Sequence, residues 1–98
     1  MENKDTSCGH VALVTGGARG IGREITNILA KKGYTVIIAY HESAAAAMEI
    51  IEKLQSRGQN CGAFCVDLSN YEQVEKMYEW CRKCYGFVDT LINNAGVS

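Results

Sequence analysis

With 98 residues, a net charge of −1 at pH 7 and acids and bases interspersed, the chain has no electrostatic footprint for nucleic acid or an anionic membrane. That length supports one small domain with a modest core, below the size of a complete dinucleotide-dependent enzyme domain, so the chain reads as part of something larger. Met1 to His10 is polar, and no run reaches the length of a transmembrane helix or signal-peptide core, which makes the cytoplasm the expected location.

The run His10 to Thr15 is short and apolar and predicts a buried strand. Ile21, Ile25, Ile28 and Leu29 then fall at helical spacing, and Gly33 stands where a left-handed cap is wanted, so a helix is expected from about Gly20 to Lys32. Thr35 to Tyr40 is β-branched and apolar, a second buried strand. Ser43 can cap the next helix, whose Ala47, Ile50, Ile51 and Leu54 recur at amphipathic spacing, and Gly58 ends it.

Cys61 to Val66 has the length and composition of a third strand. Ser69-Asn70-Tyr71-Glu72 matches a capping box, opening a third helix that carries Val74, Met77, Tyr78 and Cys81 inward and ends near Gly86. Val88 to Asn93 completes the pattern as a fourth strand. Strand and helix alternate throughout, with no proline and no internal repeat, which argues for a parallel α/β sheet with crossover helices.

Right-handed crossovers constrain the layout. If strands one to three step one way and strand four returns beside strand one, the order is 3-2-1-4. Two helices then cover one face and the third the other. The switch point falls between strands one and four, where open α/β sheets bind ligands. This brings the Gly16 to Gly22 loop beside Asn93 to Gly96.

The five cysteines are Cys8, Cys61, Cys65, Cys81 and Cys84, an odd number scattered through periodic segments, as expected for reduced thiols. No disulfide is expected. Cys81-Arg82-Lys83-Cys84 has C-x-x-C spacing, but a zinc site needs a second ligand pair that neither His10 nor His41 supplies. Helix-face cysteines are the favoured reading.

A glycine-rich turn between strand and helix lets backbone N–H groups approach a pyrophosphate at the positive end of the helix dipole. Gly17 and Gly22 also have the gap of a P-loop, but Arg23 and Glu24 stand where its lysine and hydroxyl residue belong. Triphosphate hydrolysis is therefore disfavoured.

Thr15-Gly16-x-x-x-Gly20-x-Gly22 resembles the T-G-x-x-x-G-x-G motif of the short-chain dehydrogenase/reductase family. Asn93-Asn94-Ala95-Gly96 is similar to that family's N-N-A-G segment, and Asp67-Leu68-Ser69 to its adenine-contacting turn. Gly86-Phe87-Val88-Asp89 resembles members that reduce β-ketoacyl-acyl carrier protein. The resemblance implies a Rossmann-type fold and makes residues 1–98 the amino-terminal, cofactor-binding part of one such domain. It further implies that Gly16, Gly20, Ile21 and Gly22 sit against the cofactor's pyrophosphate and ribose, and that Asp67 and Leu68 take the adenine edge. Asn93, Ala95 and Gly96 would line the adenosine ribose and the approach to the nicotinamide.

Cofactor choice follows from charge. A carboxylate about 20 residues beyond the glycine loop would bind the ribose 2′-OH of NAD and repel the 2′-phosphate of NADP. Tyr40 and His41 occupy that place, and Arg19 in the loop can pair with a 2′-phosphate, so NADP is expected, with Glu42 the residue that argues for NAD. The family's catalytic serine, its Y-x-x-x-K pair and its catalytic asparagine belong downstream of N-N-A-G. No catalytic residue is assigned here.

The resemblance thus implies hydride transfer from NADPH to a ketone such as a β-ketoacyl thioester, with a small-molecule or acyl-carrier substrate and a homo-oligomer for the full-length enzyme. Two alternatives stay open: a non-catalytic nucleotide-binding module that needs a partner chain, and a truncated gene fragment without independent activity.

Overall fold

The computed structural model describes residues 9–94. Along them alternate β1 (Val11–Thr15), α1 (Gly20–Lys31), β2 (Thr35–Tyr40), α2 (Ala44–Ser56), β3 (Cys61–Cys65), α3 (Tyr71–Tyr85) and β4 (Thr90–Asn93). The strands form one parallel sheet in the order β3-β2-β1-β4, the order expected when strand four returns beside strand one.

The near-continuous apolar character of β1 and β2 comes from their central place in the sheet. Leu13 lies opposite Ile37 and Leu91, and Val14 opposite Ile38 and Ile92. Alternate side chains feed two separate cores. Val14, Val36 and Ile38 pack with Ala30 of α1 and with Ala47, Ile50 and Leu54 of α2. Leu13, Ile37 and Ala39 point the other way, onto Met77 and Cys81 of α3. Each large aliphatic side chain so buried contributes about 1.5–3 kcal/mol.

α1 departs from the predicted stripe. Its buried residues are Gly22, Thr26 and Ala30, while Ile21 and Ile28 are 65% and 52% exposed. Small residues at this spacing let the helix axis approach the sheet closely, which turns Ile21 and Ile28 away. Thr26 is accommodated because its hydroxyl donates to the Gly17 carbonyl at 3.2 Å.

α3 differs in two ways. Asn70, not Ser69, is its N-cap, accepting the Gln73 N–H at 3.1 Å. Ser69 is instead engaged with Asp67. Tyr78 faces outward, and the aromatic packing comes from Trp80, which lies tilted against Phe64 and edge-on to Tyr85 with centroids 5.1 and 5.3 Å away. Ser43 is the N-cap of α2 but makes no side-chain capping bond.

At the amino-terminal edge of the sheet, the Asp89 N–H donates to the Val11 carbonyl at 3.0 Å. The Asp89 carboxylate meets His10 Nδ1 at 3.0 Å, and His10 stacks on Tyr34. Thr90 and then His10 hold the Asp89 pKa below the usual carboxylate value. No helix among the described residues is long and apolar enough to cross a membrane.

Candidate functional site

The carboxyl ends of β1, β2 and β3 open onto one crevice of about 480 Å³. Its walls are Gly16 after β1, the run Ala39 to Ser43 at the end of β2, and Val66 to Ser69 after β3. Three segments distant in sequence therefore meet over β1, β2 and β3, to one side of the β1–β4 switch point, and Asn93 is not among the lining residues. Backbone bonds fix them: the Gly16 N–H donates to the Ala39 carbonyl at 2.9 Å, and the Val66 N–H to the Tyr40 carbonyl at 2.7 Å.

Gly16 has φ of +67° and Gly20 of +56°, conformations that disfavour any side chain. Around Gly20 there is open space for a ligand to approach the helix end. Gly22 serves a different purpose. A Cβ there would collide with the Gly16 carbonyl and lie 2.6 Å from Asn94 Nδ2, so the loop folds back on α1 at backbone distance.

Arg19 is the N-cap of α1, exposed, with an extended backbone and no side-chain capping bond. The first turn also lacks an acidic residue. This leaves the positive end of the α1 dipole to an external anion. Arg19, Gly20 and Ile21 stand at that helix start and are not among the crevice-lining residues.

Thr15 and Asn93 are not crevice-lining residues and instead join β1 to β4. The Thr15 hydroxyl is 3.3 Å from both the Ile92 carbonyl and Asn93 Oδ1, and it accepts the Asn94 N–H at 2.8 Å. Asn94 Nδ2 donates to the Gly16 carbonyl at 3.3 Å. Asn94 thus clamps the glycine loop to the end of β4, a role its spacing in the sequence does not announce. Ala95 and Gly96 lie outside the described residues.

Asp67 is held in an Asx turn. Its Oδ1 accepts the Ser69 hydroxyl at 2.7 Å and the Ser69 N–H at 3.0 Å. These bonds, with a smaller contribution from the charge of His41, keep its pKa below the usual value and the carboxylate ionised. The Asp67 N–H is taken by Gln73 Oε1 at 2.8 Å, so the first turn of α3 sets the turn's orientation.

The site brings Gly16, Tyr40, His41, Asp67 and Leu68 together as expected from the sequence. Glu42, which bears on cofactor choice, and Ser69, of the Asp67 turn, line the same wall, together with Ser43. Its residues suit a dinucleotide: open helix-terminal amides for a pyrophosphate, an ionised acceptor turn for an adenine edge, and backbone too tightly packed at Gly22 for any other residue.

A family model for short chain dehydrogenases matches residues 10–98, and the chain belongs to that family. It is 36% identical over 89 residues to trihydroxynaphthalene reductase of Colletotrichum orbiculare, covering 91% of this chain and 32% of that protein. It is 37% identical over 87 residues to a 3-oxoacyl-[acyl-carrier-protein] reductase of Staphylococcus epidermidis, covering 89% of this chain and 36% of the relative. Among solved structures, a variant of actinorhodin polyketide ketoreductase with NADPH superposes with a TM-score of 0.80 at 29% identity, over 90% of this chain and 34% of that one. The chain thus spans about a third of the length of the relatives it matches.

Proposed function

We propose that the chain is the NADP(H)-binding part of a ketone reductase, the amino-terminal portion of one Rossmann domain. The observation that carries this is the single crevice in which Gly16, the Tyr40–His41 end of β2 and the Asp67 turn converge. The relatives' names support a carbonyl substrate, and the NADPH of the ketoreductase structure supports the cofactor.

In this reading the α1 amide end and Gly16 bind the pyrophosphate. Asp67 and Leu68 hold the adenine, and Thr15, Asn93, Ala95 and Gly96 shape the path toward the nicotinamide. Arg19 supplies the charge-assisted contact to a 2′-phosphate, Tyr40 and His41 at the end of β2 bring no carboxylate against it, and Glu42 opposes it. When bound, the reduced nicotinamide supplies hydride, and the ketone oxygen needs a separate proton donor. No tyrosine of this sequence has a lysine four residues on, so these residues bind and orient the cofactor.

An assay of NADPH oxidation with a β-ketoacyl thioester tests the division of labour. This chain alone is expected to give no turnover, and turnover by it would overturn that assignment. For the whole protein, a small-molecule or acyl-carrier ketone and a homo-oligomeric, cytoplasmic enzyme complete the reading. The second reading, a nucleotide-binding module that needs a partner chain, is favoured by one feature. Leu91 on β4 and Phe87 before it are 54% and 78% exposed, as large apolar side chains rarely are.

A further inference from the structure

Away from the crevice, α1 and α2 enclose a second groove of about 250 Å³, lined by Arg23, Asn27, Lys31, Ile50, Lys53 and Arg57. Ile50 is buried, and the polar lining side chains are four cations and one amide. Cations that are scattered in the sequence are here brought together around one groove.

Only Arg23 has a carboxylate partner, Glu49, at 3.7 Å. Among the described residues, Lys31, Lys53 and Arg57 form no ion pair. Helix dipoles account for part of this, since Lys31 and Lys53 lie in the last turns of their helices. They do not account for Arg23, which sits in the first turn of α1 where the dipole disfavours a cation. Nor do they ask two helices to aim their cations into one groove. Like charges converging there repel one another until a counterion enters.

We propose that this groove is an anion site, distinct from the nucleotide crevice, that takes a phosphate group. Lys53, Arg57 and Lys31 supply the charge, Arg23 a planar donor fork, and Asn27 a neutral hydrogen-bonding group. The phosphate is either free or the head of a small monoester. Either form would bridge α1 and α2 across their outer surface.

The test is a ¹⁵N NMR titration of the whole chain with inorganic phosphate and, separately, glycerol phosphate, at constant ionic strength. Saturable shifts of the Arg23 and Arg57 side-chain signals and the Asn27 amide are expected. The tighter of the two titrants identifies the form the groove takes. Lys53→Gln with Arg57→Gln should weaken binding about tenfold or more. Glu49→Gln should tighten it by removing the competing carboxylate, an effect that misfolding cannot imitate. Shifts confined to Gly16–Gly22 would report the nucleotide crevice alone and overturn the proposal. So would an equal response to chloride, or affinities unchanged in both variants.

Discussion

Thr15 Oγ1 accepts the backbone N–H of Asn94 at 2.8 Å, so one hydroxyl on the central strand holds the end of β4 where it can clamp the glycine loop. The same oxygen donates toward Ile92 and Asn93. Thr15→Val keeps the shape and removes both functions, leaving the Asn94 N–H without its acceptor. The expected loss is about 1–2 kcal/mol in urea denaturation followed by Trp80 fluorescence. A change of a few tenths would show that the hydroxyl is replaceable by water.

Gly22 and Gly20 should respond differently to alanine. At Gly22 the new methyl meets the Gly16 carbonyl and the Asn94 amide, so loop and helix must separate. At Gly20 nothing lies within 4 Å, and the cost is the left-handed backbone alone, about 1–2 kcal/mol. Calorimetric titration with NADPH is expected to find binding abolished in Gly22→Ala and only weakened in Gly20→Ala. The reverse order would contradict the packing role given to Gly22.

Gly62 on β3 is a glycine for the sake of α3. A Cβ there collides with the Tyr85 hydroxyl, which donates to the Cys61 carbonyl at 3.2 Å. Gly62→Ala should destabilise by about 1–3 kcal/mol, as overpacking does, and disturb Trp80 fluorescence because Trp80 packs on Tyr85. Tyr85→Phe should cost about 1 kcal/mol and recover part of the Gly62→Ala loss when the two are combined. Strict additivity would argue against the contact.

Stability should fall on the alkaline side. Burial, with Cys84 nearby, pushes the Cys81 thiol up to about 11, and burial also raises Cys61 and Tyr85. A group whose pKa is higher when folded contributes fully below its unfolded value and loses that contribution as pH rises through the folded value. For Cys81 the window runs from its ordinary 9.0 to about 11, with about 2–3 kcal/mol at stake. Urea titrations at pH 8 and pH 11 should show this loss. Cys81→Ala should start lower because of its cavity and flatten the dependence. Stability constant up to pH 11 would contradict the burial of this thiol.

The topology was readable because β1 and β2 are buried on both faces and announce themselves as apolar runs, while Gly33, Gly58 and Gly86 adopt the left-handed conformations that stop the helices. The positions of Gly16, Tyr40, His41, Asp67 and Leu68 in one crevice followed from that topology. What periodicity missed was packing through small residues. A stripe of Gly22, Thr26 and Ala30 carries little hydrophobicity, so Ile21 and Ile28 looked like the buried face. Tyr78 fits the stripe by spacing alone, but α3 turns Trp80 and Tyr85 toward the β3 edge and leaves Tyr78 outside. Asn70 and Ser69 both cap well in isolation, and only the bond from Ser69 to Asp67 decides between them. The clamp made by Asn94 depends on contacts across 78 and 79 residues, which no local pattern contains.

Nucleotide binding with a preference for the 2′-phosphate is tested directly by calorimetric titration of this chain with NADPH and NADH. Both should bind saturably, with NADPH about tenfold tighter or more. Arg19→Gln should close that gap and Glu42→Gln should widen it. Absence of saturable binding, or NADH binding as tightly as NADPH, would contradict it.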